Sequence, residues 1–296
     1  MTIQLSLIEK WPRGVFAVTL VLLSGLATET ALAASEEGST AGSLFDAQYT
    51  LGLGGFFPRV STTLTLNSPL GGGTDISAED DLGLDDSTSS AWLSFNWRFQ
   101  PRHQIHVEWF QLNRKGSSVA GRSLTIFDTT IGVGASVDSK IDLNLGRLTY
   151  GYSIIRDNNL DLSFLVGVHV ATFKATVTAA GNVTVNGIPL AGGSRTESSS
   201  TLSLPLPHLG GSLSYEFTPK LAGQLTVLLF ALDIGDYSGS LFEADAFMAY
   251  QLSKHFGIGG GLKNFNLNFQ ANTSRGGSVE YDYEFFGPTI FGYASF

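Results

Sequence analysis

Ala91-Trp92-Leu93-Ser94-Phe95-Asn96-Trp97-Arg98-Phe99 alternates apolar and polar residues from Leu93 onward. Ala91, Leu93, Phe95, Trp97 and Phe99 share one parity, while Ser94, Asn96 and Arg98 share the other. Successive side chains of a strand point to opposite faces. One face of this segment is therefore apolar and aromatic, and the other polar and charged. An outward apolar face backed by an inward polar one is the repeating unit of a barrel standing in lipid.

The pattern recurs along the chain. A first segment sets Phe45, Ala47, Tyr49, Leu51 and Leu53 against Asp46, Gln48, Thr50, Gly52 and Gly54. After Pro58 the apolar positions move to Leu64 and Leu66, and a one-residue flip beside a proline predicts a bulge. The third segment points Ile105, Val107 and Trp109 outward and His106 and Glu108 inward. The fourth, over 141–155, points Leu148, Tyr150, Tyr152 and Ile154 outward and Arg147 inward. In the fifth, Leu160, Leu162, Phe164, Val166, Val168 and Val170 oppose Asp161, Ser163 and His169. The sixth ends with Leu209, Gly211, Leu213, Tyr215 and Phe217 outward and His208 and Glu216 inward. Leu225, Val227 and Leu229 mark the seventh, and Phe256, Ile258 and Leu262 the ninth. Between them the eighth sets Phe242, Ala244, Ala246, Met248 and Tyr250 against Glu243 and Asp245. The tenth runs from Ser278 to Phe296. The expected fold is all-β, a single antiparallel up-and-down transmembrane β-barrel of 10 strands, with 8 or 12 as the alternatives.

Connections support this. Tight turns near residues 101, 157, 218 and 254 alternate with longer links at 68–89, 116–139, 177–200, 235–239 and 271–277. Outer-membrane barrels keep short turns in the periplasm and longer loops outside, which places both ends of the barrel segment in the periplasm. The closing Phe291-Gly292-Tyr293-Ala294-Ser295-Phe296 resembles the aromatic ending of bacterial outer-membrane barrels, although Tyr293 is displaced by one from the usual position.

Lys10 and Arg13 precede an apolar run from Gly14 to Leu26, and Ala31-Leu32-Ala33 follows. A basic start, a short apolar core and a small-x-small end make a secretory signal peptide over 1–33, cleaved after Ala33. The run is too short for a spanning helix of about 20 residues. Residues 34–44 are expected to be a periplasmic segment and 45–296 the barrel. The general secretory route and the outer membrane follow as expectations.

Composition narrows the classes. Charged residues make up 15 % and hydrophobic ones 43 %, against about 25 % charged in average soluble chains. A net charge of −9 argues against nucleic acid, which demands a basic footprint. With no cysteine, a lipidated cysteine, a disulfide framework and a thiolate metal site are excluded.

Much of the acid lies in one link, where Glu79-Asp80-Asp81-Leu82-Gly83-Leu84-Asp85-Asp86 follows Gly71-Gly72-Gly73. Together with Phe56-Phe57-Pro58 before it and Trp97-Arg98-Phe99 and His103 after it, this stretch resembles a family of uncharacterised proteobacterial outer-membrane β-barrel proteins. That family carries a similar Glu-Asp-Asp-Leu-Gly-Leu segment after its first strand. The resemblance covers residues 45–170 and implies a fold and a location, not an activity. Three readings of the segment stand. It is a solvated acidic loop. It is a plug with Leu82 and Leu84 buried and its acids meeting Arg98 or Arg147. Or it is a Ca²⁺ site using Asp80, Asp81, Asp85 and Asp86, although their spacing is not that of an EF-hand. No other cofactor is expected.

The inward-facing polar candidates are Arg98, Glu108, Arg147, His169, His208, Glu216, Glu243 and Asp245, joined by Asp46 and Lys263. A small barrel is about filled by its own side chains, so these are expected to pair as structural ion networks. His169 and His208 are level on adjacent strands, and Ser212 and Ser214 share the face of His208, but no nucleophile elbow accompanies them. His103, His106 and His255 lie near tight turns, so no histidine falls in a long link. No catalytic residue is assigned and an enzyme is not expected. Inward Gly52, Gly54, Gly257, Gly259 and Gly261 leave room for a narrow passage or ease curvature.

The expected role is structural or surface-interacting, with a narrow channel for small solutes and an envelope lipid or peptide hydrolase as the alternatives. The expected partners are outer-membrane lipid, lipopolysaccharide and, during insertion, the barrel-assembly machinery. Cysteines introduced at Phe45, Leu93, Trp97, Val166, Leu229 and Met248 should resist a membrane-impermeant thiol reagent, since each lies on the apolar parity of its strand. Ready labelling in intact membrane would reject this register.

Overall fold

The computed structural model describes residues 47–67, 73–126, 129–157, 159–185, 188–189, 195–272 and 277–296. The signal segment, residues 34–44, Phe45 and Asp46 lie outside the described residues. The described residues form strands β1 (Tyr49–Phe56), β2 (Arg59–Asn67), β3 (Gly73–Ser77), β4 (Ser90–Gln100), β5 (His103–Val119), β6 (Leu124–Ile126), β7 (Thr129–Ile131) and β8 (Ser136–Arg156). They continue as β9 (Leu160–Ala180), β10 (Val183–Val185), β11 (Ile188–Pro189), β12 (Arg195–Thr218), β13 (Leu221–Ile234), β14 (Tyr237–Gln251), β15 (Phe256–Asn272) and β16 (Ser278–Ser295). Neighbouring strands pair antiparallel in the order β1, β4, β5, β8, β9, β12, β13, β14, β15, β16, and β1 pairs back with β16. With β2 prolonging β1 along the same partner, the ring has ten strands, as the alternation predicted.

The bulge expected at Pro58 is absent. Thr50 faces Ser295 and Phe56 faces Thr289, and the same register continues from Arg59 opposite Phe286 to Asn67 opposite Ser278. Pro58 merely lacks an N–H for the ladder, and Phe57 N still donates to Pro288 O at 2.9 Å. What changes is which parity is apolar. Leu51 and Leu53 are exposed, whereas Phe56 and Val60 are buried inside, and Leu64 and Leu66 pack against a buried cluster. The same exchange occurs in β5, from outward Val107 and Trp109 to inward Phe110 and Leu112. In β8, inward Leu143 and Leu145 give way to outward Leu148. Below the exchange the apolar side chains lie on the outer face, the pattern of a wall against lipid; above it they lie inside, the pattern of a wall against water. Leu93, Trp97, Val166, Leu229 and Met248 all face outward.

This inversion corrects the expected loops. β8, β9 and β12 have 21, 21 and 24 residues, about twice the 9–11 that span a bilayer. Most of 116–139 and 177–200 is therefore strand standing clear of the lipid belt, and β6, β7, β10 and β11 add a four-stranded sheet there. A search for outward apolar residues misses strands whose outer face is Lys115, Ser117, Asp138 and Lys140. The link at 235–239 also proves tight: Ile234 faces Tyr237, and Gly235 turns the chain at φ 62°, a backbone region open to glycine at little cost.

The acidic segment folds as a lid over the long-link end. Leu82 and Leu84 are buried, Leu82 beside Ile76, Leu124, Ile131 and Val183. Gly83 (φ 69°) crosses Gly116 so closely that a Cβ on Gly116 would sit 1.7 Å from the Gly83 carbonyl oxygen. The burial expected of a plug is present, but its partners differ. Glu79 accepts from the Arg114 guanidinium and from Thr62 N at 3.1 Å, and Asp81 pairs with Arg122 at 2.6 Å. Arg98 and Arg147 lie deeper and have other partners, described below. The Arg122 guanidinium holds the Asp81 carboxyl below its ordinary range. This tether is therefore intact at neutral pH and weakens as pH falls through that lowered value. Arg114→Met should cost roughly 3 kcal/mol by leaving Glu79 without its cation, read as a lower thermal midpoint with protease cleavage within 78–90. Wild-type protease resistance in the variant would reject the lid anchor.

Candidate functional site: the ion cluster in the lumen

The inward parities of four strands converge at mid-barrel. Arg147 on β8 reaches Glu108 on β5 at 2.8 Å and Asp245 on β14 at 3.2 Å, and also bonds Glu243. Lys263 on β15 lies 2.8 Å from Glu108, 2.7 Å from Asp245 and 3.3 Å from Glu243. The sequence-derived candidates Glu108, Arg147, Glu243 and Asp245 thus form one buried group, with Lys263 at its centre and fully buried. Glu108, Glu243 and Asp245 are also the grouping with metal-ligand spacing among the described residues. Two cations already bridge those carboxylates, so the arrangement is an ion network. Asp80, Asp85 and Asp86 are exposed, and Asp81 is taken by Arg122.

His169 and His208 meet as their level positions suggested. His169 Nε2 lies 2.6 Å from Glu243 Oε2, and the two Nδ1 atoms are 3.0 Å apart. The hydroxyl bonded to His208 Nε2 is that of Thr149, at 3.1 Å, rather than Ser212 or Ser214. The chain Thr149, His208, His169, Glu243 can be satisfied with every proton donated toward the carboxylate, which orients both rings. Gly167 makes this possible, since a Cβ there would stand 2.7 Å from His208 Nε2.

Arg98 belongs to a separate network nearer the short turns. It donates to Asp161 at 2.8 Å, Ser153 at 3.2 Å and Gln104 at 3.2 Å. Glu216 is also buried at that end. Above the ion cluster comes an aromatic layer. Phe265 stacks on Phe285 at 4.8 Å, and Phe56 meets Phe110 and Phe285 edge-on at 5.3 and 5.4 Å. Leu145, Leu241, Phe173 and Tyr283 fill the same level.

The inward glycines do not open a passage. A Cβ on Gly259 would lie 2.4 Å from the Phe291 ring, one on Gly261 2.5 Å from Phe247, and one on Gly257 2.2 Å from the Tyr293 hydroxyl. Their space is taken by aromatic rings lying along the wall. A cavity of about 200 Å³ remains below the cluster, between Trp92, Phe247 and Phe291 and the hydroxyls of Ser94, Ser212 and Ser214.

Sequence reading missed Arg114, although it shares the inward parity of His106 and Glu108. It also missed that Lys263 supplies the central cation.

Lys263→Met should cost roughly 3–5 kcal/mol, because it leaves three buried carboxylates facing one arginine. Pairing it with Asp245→Leu should recover much of that loss. Equal thermal midpoints for wild type and Lys263→Met would show that the cluster is hydrated and weak.

No protein-family model matches the chain, and no curated protein matches it. Among solved structures it is similar to the outer membrane protease OmpT from Escherichia coli, with a TM-score of 0.55 and 12 % identity over 86 % of this chain and 99 % of that one. The outer membrane protein OprG from Pseudomonas aeruginosa aligns with a TM-score of 0.36 and 10 % identity over 87 % and 99 %. At such identities the likeness to OmpT is one of fold: the chain is an all-β, antiparallel, up-and-down barrel of the outer-membrane kind.

Proposed function

We propose that this chain is an exported outer-membrane protein whose barrel is a closed scaffold, with a structural or surface-interaction role carried by its long-link end. The short turns then face the periplasm and the lid faces outward. Export through the general secretory route, cleavage after Ala33 and insertion by the barrel-assembly machinery accompany this reading.

The observation that carries it is the succession of three packed levels across the lumen. The ion cluster of Glu108, Arg147, Glu243, Asp245 and Lys263 fills the middle. The layer around Phe56, Phe110, Phe265 and Phe285 lies above it, and the lid anchored by Arg114 closes the top. A channel for ions or polar solutes needs a continuous polar path, and the aromatic layer interrupts it. A surface peptidase that relies on a histidine base would need one at the outward end, and the histidines are elsewhere. His103 and His255 lie beside short turns, while His106, His169 and His208 lie in the lumen.

Purified protein reconstituted in planar bilayers should give no unitary current steps in concentrated salt. Resolvable, reproducible steps from wild-type protein would replace this reading with the channel.

A further inference from the structure

The chain has seven lysines. Lys10 lies outside the described residues, Lys220 and Lys254 sit at short turns, and Lys263 is the lumen cation. The remaining three, Lys115, Lys140 and Lys174, fall on the adjacent strands β5, β8 and β9, and all are exposed on the outer face. Lys115 is directly opposite Lys140, and Lys174 is opposite Asp142, one same-face position along β8 from Lys140. Like charges directly opposite across two strands are destabilising, and nothing in the barrel's own packing requires this pair. Nearby acids compensate only in part. Asp142 pairs with Lys140 at 2.6 Å, and Asp138 accepts from Ser117 at 2.7 Å. Among the described residues neither Lys115 nor Lys174 makes an ion pair. Three lysines against two carboxylates leave this face positive on a chain of net charge −9.

Its height matters. Trp109, exposed and donating to Asn144 at 2.6 Å, and Val170 end the apolar belt on these strands. Lys115 is six residues beyond Trp109, and Lys174 four beyond Val170. At about 3.4 Å per residue and a tilt near 40°, the lysines stand roughly 10–16 Å above the belt. A phospholipid headgroup layer is about 5–8 Å deep, so these backbones stand just above it and the lysine side chains reach down into it.

We propose that Lys115, Lys140 and Lys174 bind the phosphorylated sugar headgroup of an outer-leaflet lipid, a lipopolysaccharide. This rests on the outer-membrane reading above and assigns one face of the barrel to that lipid. A headgroup bearing several phosphates relieves the repulsion between Lys115 and Lys140, whereas a zwitterionic headgroup brings its own cation.

The test uses full-length mature protein in vesicles of dioleoylphosphatidylcholine, alone or containing lipopolysaccharide, followed by thermal unfolding. The wild-type midpoint should rise in the lipopolysaccharide vesicles. The variant Lys115→Gln, Lys140→Gln, Lys174→Gln should lose more than half of that rise while melting like wild type in phosphatidylcholine. A variant that keeps the full rise would overturn the proposal and leave the membrane reading intact. An equal rise on adding pyrophosphate to wild-type protein in detergent would assign a soluble phosphate instead and overturn the lipid. Wild-type protein that inserts into neither vesicle would overturn both the patch and the outer-membrane reading on which it rests.

Discussion

Closure of the strand ring is the constraint on which everything else depends. Within lipid an unpaired backbone group has no water to turn to, so a sheet can cross only if its first and last strands pair. Here β1 and β16 do so from Thr50 opposite Ser295 to Phe56 opposite Thr289, and β2 continues the seam upward in the same register. A bulge at Pro58 would have shifted this seam and turned every later side chain of the strand to the wrong face. Proline is tolerated there because only one ladder bond is forgone.

Closure creates an interior that must be filled, and the chain fills it differently at different heights. Where lipid surrounds the wall, apolar side chains are spent outward, so the lumen receives the polar parity. Its charges then need one another: Arg147 and Lys263 between Glu108, Glu243 and Asp245, and Arg98 against Asp161. Above the belt the outer wall is wet, the apolar side chains turn inward, and a core of the soluble kind forms around Phe110, Phe265 and Phe285. The lid adds separate buried clusters, Leu82 with Ile76, Leu124, Ile131 and Val183, and Leu84 with Ala78 and Ile141. Buried ion networks are poor sources of net stability, and the aromatic layer and lid bury the apolar area that sustains the upper barrel.

The ring strands were legible because period-two alternation is a strong signal wherever lipid lies on one side and charge on the other, as in Ala91–Phe99. For the same reason every inward candidate from Arg98 to Asp245 proved to be buried. The signal failed where its physical cause ended. Leu64 and Leu66 looked like a parity flip because the solvent, not the backbone, changes at that height. Strands carrying Lys115, Asp138 and Lys140 outward read as loops. The partners of the acidic segment, Arg114 and Arg122, depend on how far β5 and its hairpin rise, which local pattern does not encode. The glycines at 257, 259 and 261 read as room for a passage or as aids to curvature, and that Tyr293, Phe291 and Phe247 fill this room required the cross-strand register.

The central claim is that the barrel is sealed by its own side chains. Its most direct test is access to the aromatic layer. Single cysteines at Leu145 and Leu241, both buried there, are exposed to small charged methanethiosulfonates from either side of a membrane holding the folded protein. The account predicts no modification from either side while heat-unfolded protein reacts fully. Rapid modification of the folded protein at either position would contradict it.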